Sequence, residues 1–297
     1  MTRRKRAGYL LQYQALRAVL GLLRLLPVDA ASAAGGMIGR VIGPRLRRHA
    51  IARTNMQRAL PELDAAALDA HLAEMWDNLG RSFAEYAHLG TLGRALDSGD
   101  GRIEVHGRTH LDAAIAAGRG AVIFGAHLAN WELPVLLQAG ATVDTVLVYR
   151  RQNNPWIDRL LSRLRPASAG KLAPKGATGA RDIVSTLRKG GIVGVLVDQK
   201  YNEGIAIPFF GRDAMTVSGP ADLALRRGAP LIPLRVERCD GARFRITVMP
   251  PLEAPPPDSG DERLRILLGR MNAVLEDWIR ARPGQWYWIH QRWPRDG

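Results

Sequence analysis

The sequence predicts an α/β protein, with a mainly parallel central sheet flanked by helices and a helical region at its N-terminus. Two patterns lead to this. From Ile103 onward, apolar runs of strand length alternate with helical patterns, with short Gly- or Pro-marked turns between them. Before that point, residues 62 to 92 place apolar side chains at helical spacing. The composition agrees: 297 residues, 46% hydrophobic and 24% charged, fit neither a disordered chain nor a polytopic membrane protein. The single cysteine, Cys239, excludes internal disulfides and zinc sites built on several thiolates.

The N-terminus opens with Arg3-Arg4-Lys5-Arg6 and runs into an apolar stretch from Tyr9 to Leu26, broken by Gln12, Gln14, Arg17 and Arg24. No run of about eighteen apolar residues occurs, so a membrane-spanning helix is not required. At helical spacing Gln14, Arg17 and Arg24 share one face, while Leu16, Val19, Leu20, Leu22, Leu23 and Leu26 spread over the other. A basic amphipathic helix of this kind suits an anionic membrane surface. Three other readings stand beside it. A signal peptide has Ala31-Ser32-Ala33 as an imitation cleavage site, but Arg17 and Arg24 interrupt its apolar core. Nucleic-acid binding would use the charge and leave the leucine face without a task. The third is a helix packed on the domain with solvated arginines. Residues 1–58 carry twelve basic residues against Asp29 alone, a net +11, whereas the remaining 239 carry 30 basic and 27 acidic groups. The expected organisation is a basic amphipathic membrane-associating segment over 1–58 and an α/β domain over 59–297.

Taken in order, Leu63, Leu68, Leu72, Met75, Trp76, Leu79 and Phe83 mark one face of the helical pattern over 62–92. The expected strands are Ile103–Val105, Ala121–Phe124, Thr145–Tyr149, Ile192–Val197, Leu231–Val236 and Phe244–Val248. Helical patterns fall at Leu111–Ala117, Glu132–Gln138, Trp156–Leu164, Ala180–Leu187 and Pro220–Arg226. Pro255-Pro256-Pro257 marks a loop before a last helix.

Several common chemistries are absent. There is no Gly-x-Ser-x-Gly elbow, no Gly-x-x-x-x-Gly-Lys-Ser/Thr loop and no Gly-x-Gly-x-x-Gly turn. His106 and His110 are four apart, but Gly107 disfavours a helix there and no carboxylate pattern accompanies them, so no metal site is expected. One constellation remains, Gly125-Ala126-His127-Leu128-Ala129-Asn130-Trp131-Glu132 after the strand Ala121–Phe124. On one continuous helix His127 and Glu132 would lie about 140° apart. With His127 in a loop and Asn130 as the cap, Glu132 falls in the first turn, where the helix dipole favours its charge. That puts a His–carboxylate pair at the carboxyl end of a central strand, where open α/β sheets form their sites. The carboxylate would hold one imidazole nitrogen and leave the other basic. No Ser or Cys adjoins the pair, so the deprotonated hydroxyl would be a substrate's. A structural histidine bonded to backbone is the competing reading.

These residues resemble the lipid A biosynthesis acyltransferases of Gram-negative bacteria, the late acyl-adding enzymes. The resemblance covers nearly the whole chain. It includes Arg47-Arg48 with Ile51-Ala52-Arg53-Thr54-Asn55, Leu60-Pro61-Glu62, and the stretch from Gly125 to Glu132, which is similar to the family's His-x4-acid motif. Tyr149-Arg150 with Asn153-Asn154-Pro155 is similar to the second block. Asp198-Gln199 followed by Pro208-Phe209-Phe210-Gly211 resembles the third, and Gly228-Ala229-Pro230 through Pro233 the fourth. Trp278-Ile279-Arg280, Pro283, Gln285-Trp286, Trp288, His290 and Arg292-Trp293 resemble the C-terminal signature. Members commonly have a cleaner membrane-spanning N-terminal helix, and Arg17 and Arg24 break it here.

The resemblance implies transfer of a fatty acyl chain from acyl carrier protein, as thioester donor and without a cofactor, to a hydroxyl of a lipid A precursor. His127 would be the general base and Glu132 its orienting acid. Helix-start N–H groups near Asn130 would be candidate oxyanion donors. Arg150 would offer a cation to acceptor phosphate or the donor's pantetheine arm, and Asp198 and Gln199 would bind the acceptor or order the site. Phe209 and Phe210 read as acyl-groove or core residues, and the four C-terminal tryptophans as membrane-interface residues or a strap over the core. The partners implied are acyl carrier protein, the lipid A precursor and the anionic inner-membrane surface, on its cytoplasmic face, with no nucleic acid. A different acceptor, such as another glycolipid, an ornithine lipid or a lysophospholipid, is the alternative within the superfamily. A nonenzymatic nucleic-acid-binding protein is the alternative outside it.

Overall fold

The computed structural model describes residues 2–138, 143–165, 170–174, 177–260 and 262–294. Five helices precede the first strand: α1 (Arg3–Leu23), α2 (Val28–Ile42), α3 (Arg48–Ala59), α4 (Ala65–Glu85) and α5 (Leu89–Ser98). The alternation then runs β1 (Ile103–His106), α6 (Arg108–Ala116), β2 (Ala121–Gly125), β3 (Thr145–Tyr149), α7 (Pro155–Leu164), β4 (Lys171–Pro174), α8 (Ala177–Arg188) and β5 (Ile192–Leu196). A hairpin follows, β6 (Ile205–Phe209) and β7 (Arg212–Thr216), then α9 (Gly219–Arg227), β8 (Leu231–Asp240), β9 (Arg243–Val248) and α10 (Glu262–Ala281).

The main sheet has seven strands in the order β1-β9-β8-β2-β5-β3-β4, and every pair is parallel except β8 with β9. The expected mainly parallel α/β architecture is present. β2 lies between β5 and β8, which explains its unbroken apolar run: all five residues are buried on both faces. Alternation along it divides the core. Val122 and Phe124 join the cluster built with α3, α4, α9, α10 and the C-terminal tail, while Ala121 and Ile123 join the one built with α5 and α6.

The structure differs from the sequence reading in several elements. The single pattern over 62–92 is two helices separated by a 3₁₀ turn at Tyr86–His88. Glu132–Gln138 is a 3₁₀ segment, Leu133–Gln138, with Glu132 outside it. β4 and the β6–β7 hairpin carry no strong alternation. The hairpin turns at Phe210 and Gly211, both left-handed (φ 52° and 68°), so a phenylalanine stands where asparagine is usual.

The N-terminal helices are not alike. Leu20 is the buried residue of α1, whereas Leu11, Leu22 and Leu25 are exposed. α2 packs closely against α4: a Cβ on Gly39 would meet the Trp76 carbonyl oxygen at 2.0 Å, and one on Gly80 the Gly35 oxygen at 2.1 Å. α3 contributes Ala52 and Met56 to the core, and Asn55 Nδ2 donates to the carbonyls of Trp288 (2.9 Å) and His290 (2.8 Å). Residues 28–58 are thus built into the fold. Among the described residues, no helix is long and apolar enough to cross a membrane. Trp278, Trp286, Trp288 and Trp293 are all buried with Phe209 and Phe210, so the tail is a strap over the core.

Candidate active site

β2 and β5 run in parallel register with Gly125 opposite Leu196. Two residues further along each strand, His127 and Asp198 come abreast. The Asp198 carboxylate is 1% exposed and sits behind the imidazole. His127 Nδ1–H donates to Asp198 Oδ1 at 2.7 Å, and the His127 backbone N–H to Oδ2 at 2.9 Å. The Trp286 indole N–H adds a third donor to Oδ2 at 2.8 Å. Burial alone would raise the Asp198 pKa, but its pairing with the His127 ring and these donors outweigh it and hold the carboxyl below its usual range. A carboxylate only accepts, so the proton is on Nδ1 and the Nε2 lone pair points outward. Gln199 Nε2 donates to that lone pair at 3.3 Å. Trp131 and Tyr287 flank the ring at centroid distances of 5.3 and 5.8 Å.

The imidazole therefore has a different carboxylate from the one expected. Both Glu132 oxygens go to Arg165, which donates from Nε at 2.8 Å and from Nη2 at 3.0 Å. The cause is local. Ala129 is left-handed (φ 48°), so the chain turns sharply after His127 and no helix starts at Asn130. Glu132 is carried toward the end of α7 instead. Asn130 instead closes a local turn, its Oδ1 accepting the Glu132 N–H at 3.2 Å and its carbonyl the Leu133 N–H at 3.1 Å. Those two amides are thereby occupied and do not supply the oxyanion donors expected there.

The Nε2 side of His127 faces a cavity of about 520 Å³. Leu147, Leu161, Leu172, Leu196, Leu234 and Val236 give it apolar walls, and Leu20 of α1 adds another. The polar rim carries Asn130, Glu132, Arg150, Gln199 and Arg165. Of the candidate residues, His127, Asn130, Glu132, Arg150 and Gln199 thus share one cavity, with Asp198 directly behind. Arg150 is exposed at its edge. Burial and then the nearby Glu132 charge push the Tyr86 phenol well above its ordinary value, so it stays protonated. Ser82 and Ser162 also line the cavity, but their hydroxyls donate to the carbonyls of Ala129 and Asp158. Cys239 is exposed on β8.

Arg165, Tyr86 and Tyr287 were not legible as site residues, because none carries a spacing signal. Trp286 reads in the sequence only as a membrane-interface or strap residue, and the fold shows its indole reaching Asp198.

The geometry agrees with comparisons to known proteins. The family model described as "Bacterial lipid A biosynthesis acyltransferase" matches residues 2–295. The lipid A biosynthesis palmitoleoyltransferase of Escherichia coli (strain K12) is 29% identical over 283 residues, covering 92% of this chain and 88% of that protein. The lauroyltransferase of the same strain is 29% identical over 285 residues, with the same coverage. A phosphatidylinositol mannoside acyltransferase of Mycobacterium tuberculosis (strain ATCC 25618 / H37Rv) is 29% identical over 265 residues, covering 82% of this chain and 77% of that protein. The motif blocks, the sheet-end histidine and a match along almost the entire chain converge: the protein is an acyltransferase, and it belongs to the bacterial lipid A biosynthesis acyltransferase family.

Proposed function

We propose that the enzyme transfers a fatty acyl chain from acyl carrier protein to a hydroxyl of a lipid A precursor at the cytoplasmic face of the inner membrane. The observation that carries the mechanism is the orientation of His127, with Nδ1–H locked on Asp198 and Nε2 open to an apolar cavity. Nε2 takes the proton of the acceptor hydroxyl as its oxygen attacks the thioester carbonyl. The tetrahedral intermediate then collapses, the C–S bond breaks, and the imidazolium returns the proton to the departing thiolate. Asp198 orients the ring and stabilises the imidazolium. Glu132 acts one step away, holding Arg165 in the cavity rim, where Arg165 and Arg150 offer guanidinium groups to phosphate. Gln199 hydrogen-bonds the base before the acceptor hydroxyl replaces it, and Asn130 fixes the turn between His127 and Glu132. No protein nucleophile is used, since the cavity serines are engaged with backbone and Cys239, exposed on β8, does not line the cavity.

Membrane attachment rests on α1 and on the outer face of α2. Leu11, Leu22 and Leu25 are exposed on the first and its following turn, and Met37, Ile38, Val41 and Ile42 on the second, with the surplus of basic residues around them.

The test is an acceptor screen with purified enzyme and acyl carrier protein loaded with chains of different length. Lipid A precursor, phosphatidylinositol mannoside, an ornithine lipid and a lysophospholipid are offered in turn. Transfer to lipid A precursor is expected. Transfer only to another acceptor would move the substrate assignment, and failure with every carrier-bound donor would remove the donor.

A further inference from the structure

The loop that carries His127 is held by a buried ion pair outside the reacting groups. Glu85 of α4 is 0% exposed and Arg238 of β8 is 7% exposed, and they pair through both carboxylate oxygens at 2.5 and 3.0 Å. An arginine only donates and a carboxylate only accepts, so the pair fixes the direction of every hydrogen bond around it. Arg238 Nε donates to Asn78 Oδ1 at 2.9 Å, which turns the Asn78 amide nitrogen toward the Ala129 carbonyl at 3.3 Å. Arg238 Nη2 donates to Ser82 Oγ at 3.1 Å, which leaves the Ser82 hydrogen for the same carbonyl at 2.9 Å. Glu85 Oε2 accepts from Asn130 Nδ2 at 2.9 Å, which leaves Asn130 Oδ1 to cap the Glu132 N–H. Gln285 closes the set. It takes the Ala129 N–H on its carbonyl at 2.9 Å and pairs with the Arg238 backbone at 2.9 and 2.8 Å. Ala129 is the left-handed residue of this loop. A non-glycine residue keeps that conformation only where its surroundings over-determine it.

We infer that Glu85 and Arg238 are a positioning pair: together they set the donor–acceptor polarity that holds the His127–Glu132 turn and so place the imidazole on Asp198. This rests on the acyl-transfer reading of the site, and the experiment below separates the two.

The stability role of a buried ion pair can be replaced by apolar side chains of similar volume, but its polarity cannot. The double variant Glu85→Leu/Arg238→Met is therefore compared with wild type for thermal melting, for kcat and KM of acyl transfer, and for the nuclear magnetic resonance signal of the His127 Nδ1 proton. The expected result is a folded enzyme whose kcat falls about 10- to 100-fold while acceptor KM changes by less than about threefold, within the range general-base alignment supplies. The Nδ1 proton signal should broaden through exchange with water. Glu85→Gln, which in either orientation sets an amide donor against an Arg238 donor, should show the same split. If either variant fails to fold, Ser82→Ala decides. It removes only one donor to Ala129 and should lower kcat by about three- to tenfold with little change in melting. A folded variant with wild-type kcat and an unchanged Nδ1 proton signal overturns the inference. If wild type itself shows no transfer, the functional reading fails, while the proton signal still reports the positioning.

Discussion

Asp198 has three donors in the folded protein and sits out of water, so an amide in its place keeps the shape but loses the charge and turns one of two acceptor oxygens into a donor. Asp198→Asn should leave the fold intact and lower kcat by roughly 10³–10⁴-fold, because the neutral side chain no longer stabilises the Nδ1–H form or the imidazolium. His127→Ala should cost at least about 10²-fold in a protein with unchanged circular dichroism. Wild-type turnover in a folded His127→Ala variant would remove the base from the mechanism. A second histidine reports on stability instead. Burial lowers the His290 pKa from its ordinary 6.5 to about 4, and its Nε2 accepts the Lys200 N–H at 2.9 Å. The unfolded chain therefore binds a proton at this position first as pH falls. His290 takes stability away between pH 6.5 and 4, on the order of 2 kcal/mol once its partial exposure is discounted. Asp198, whose folded pKa is lowered, contributes stability that is lost only at more acidic pH. Urea unfolding at pH 7 and pH 5 should show the first loss in wild type and a flatter profile in His290→Asn. Residue chemistry was only partly legible in the sequence. His127 was found because it follows a buried strand, whereas its carboxylate partner depends on strand register, which spacing within one loop cannot show.

At the scale of elements, the close approach of α2 and α4 is the least tolerant contact. Gly39→Ala would force a methyl into the Trp76 carbonyl, a backbone group with no flexible side chain to give way. Overpacking of that kind costs about 1–3 kcal/mol. Thermal melting should fall by several degrees, and an unchanged melting temperature would mean that the helices separate freely. Elements with a strong period were read correctly to within a few residues: β2, β3, β5, β9, α7 and α9. Those without one were missed for stated reasons. β4 is a short edge strand beginning at Lys171. The β6–β7 hairpin turns on Phe210-Gly211 rather than an asparagine–glycine pair, and Phe210 keeps its left-handed backbone because Trp288, Trp293 and Arg280 pack around its ring. The 3₁₀ turn at Tyr86–His88 is invisible to periodicity because apolar residues continue through it.

For the molecule as a whole, α1 is the element whose removal tests the membrane reading. It is fastened by Leu20 in the cavity wall, by Asn154 donating to the Tyr9 carbonyl at 2.8 Å, and by Arg24 Nε on the Ala87 carbonyl at 3.2 Å. A chain lacking residues 1–26 should keep its sheet and the His127–Asp198 pair, melt slightly earlier, and lose most of its salt-sensitive recovery on anionic vesicles. Undiminished vesicle binding would place the attachment elsewhere, beginning with the outer face of α2. His127 and Asp198 are 71 positions apart and meet because β2 and β5 are neighbours. The elements β3, α7, β4 and α8, placed in the chain between those strands, supply Leu147, Leu161, Arg165 and Leu172 to the cavity. Substitutions at Leu147, Leu161 or Leu172 should reshape what fits in the cavity without moving His127 or Asp198. Under the proposed mechanism the architecture is modular: the imidazole and its carboxylate hang from the ends of the two central strands, while part of the cavity wall comes from a detour between them that can be exchanged.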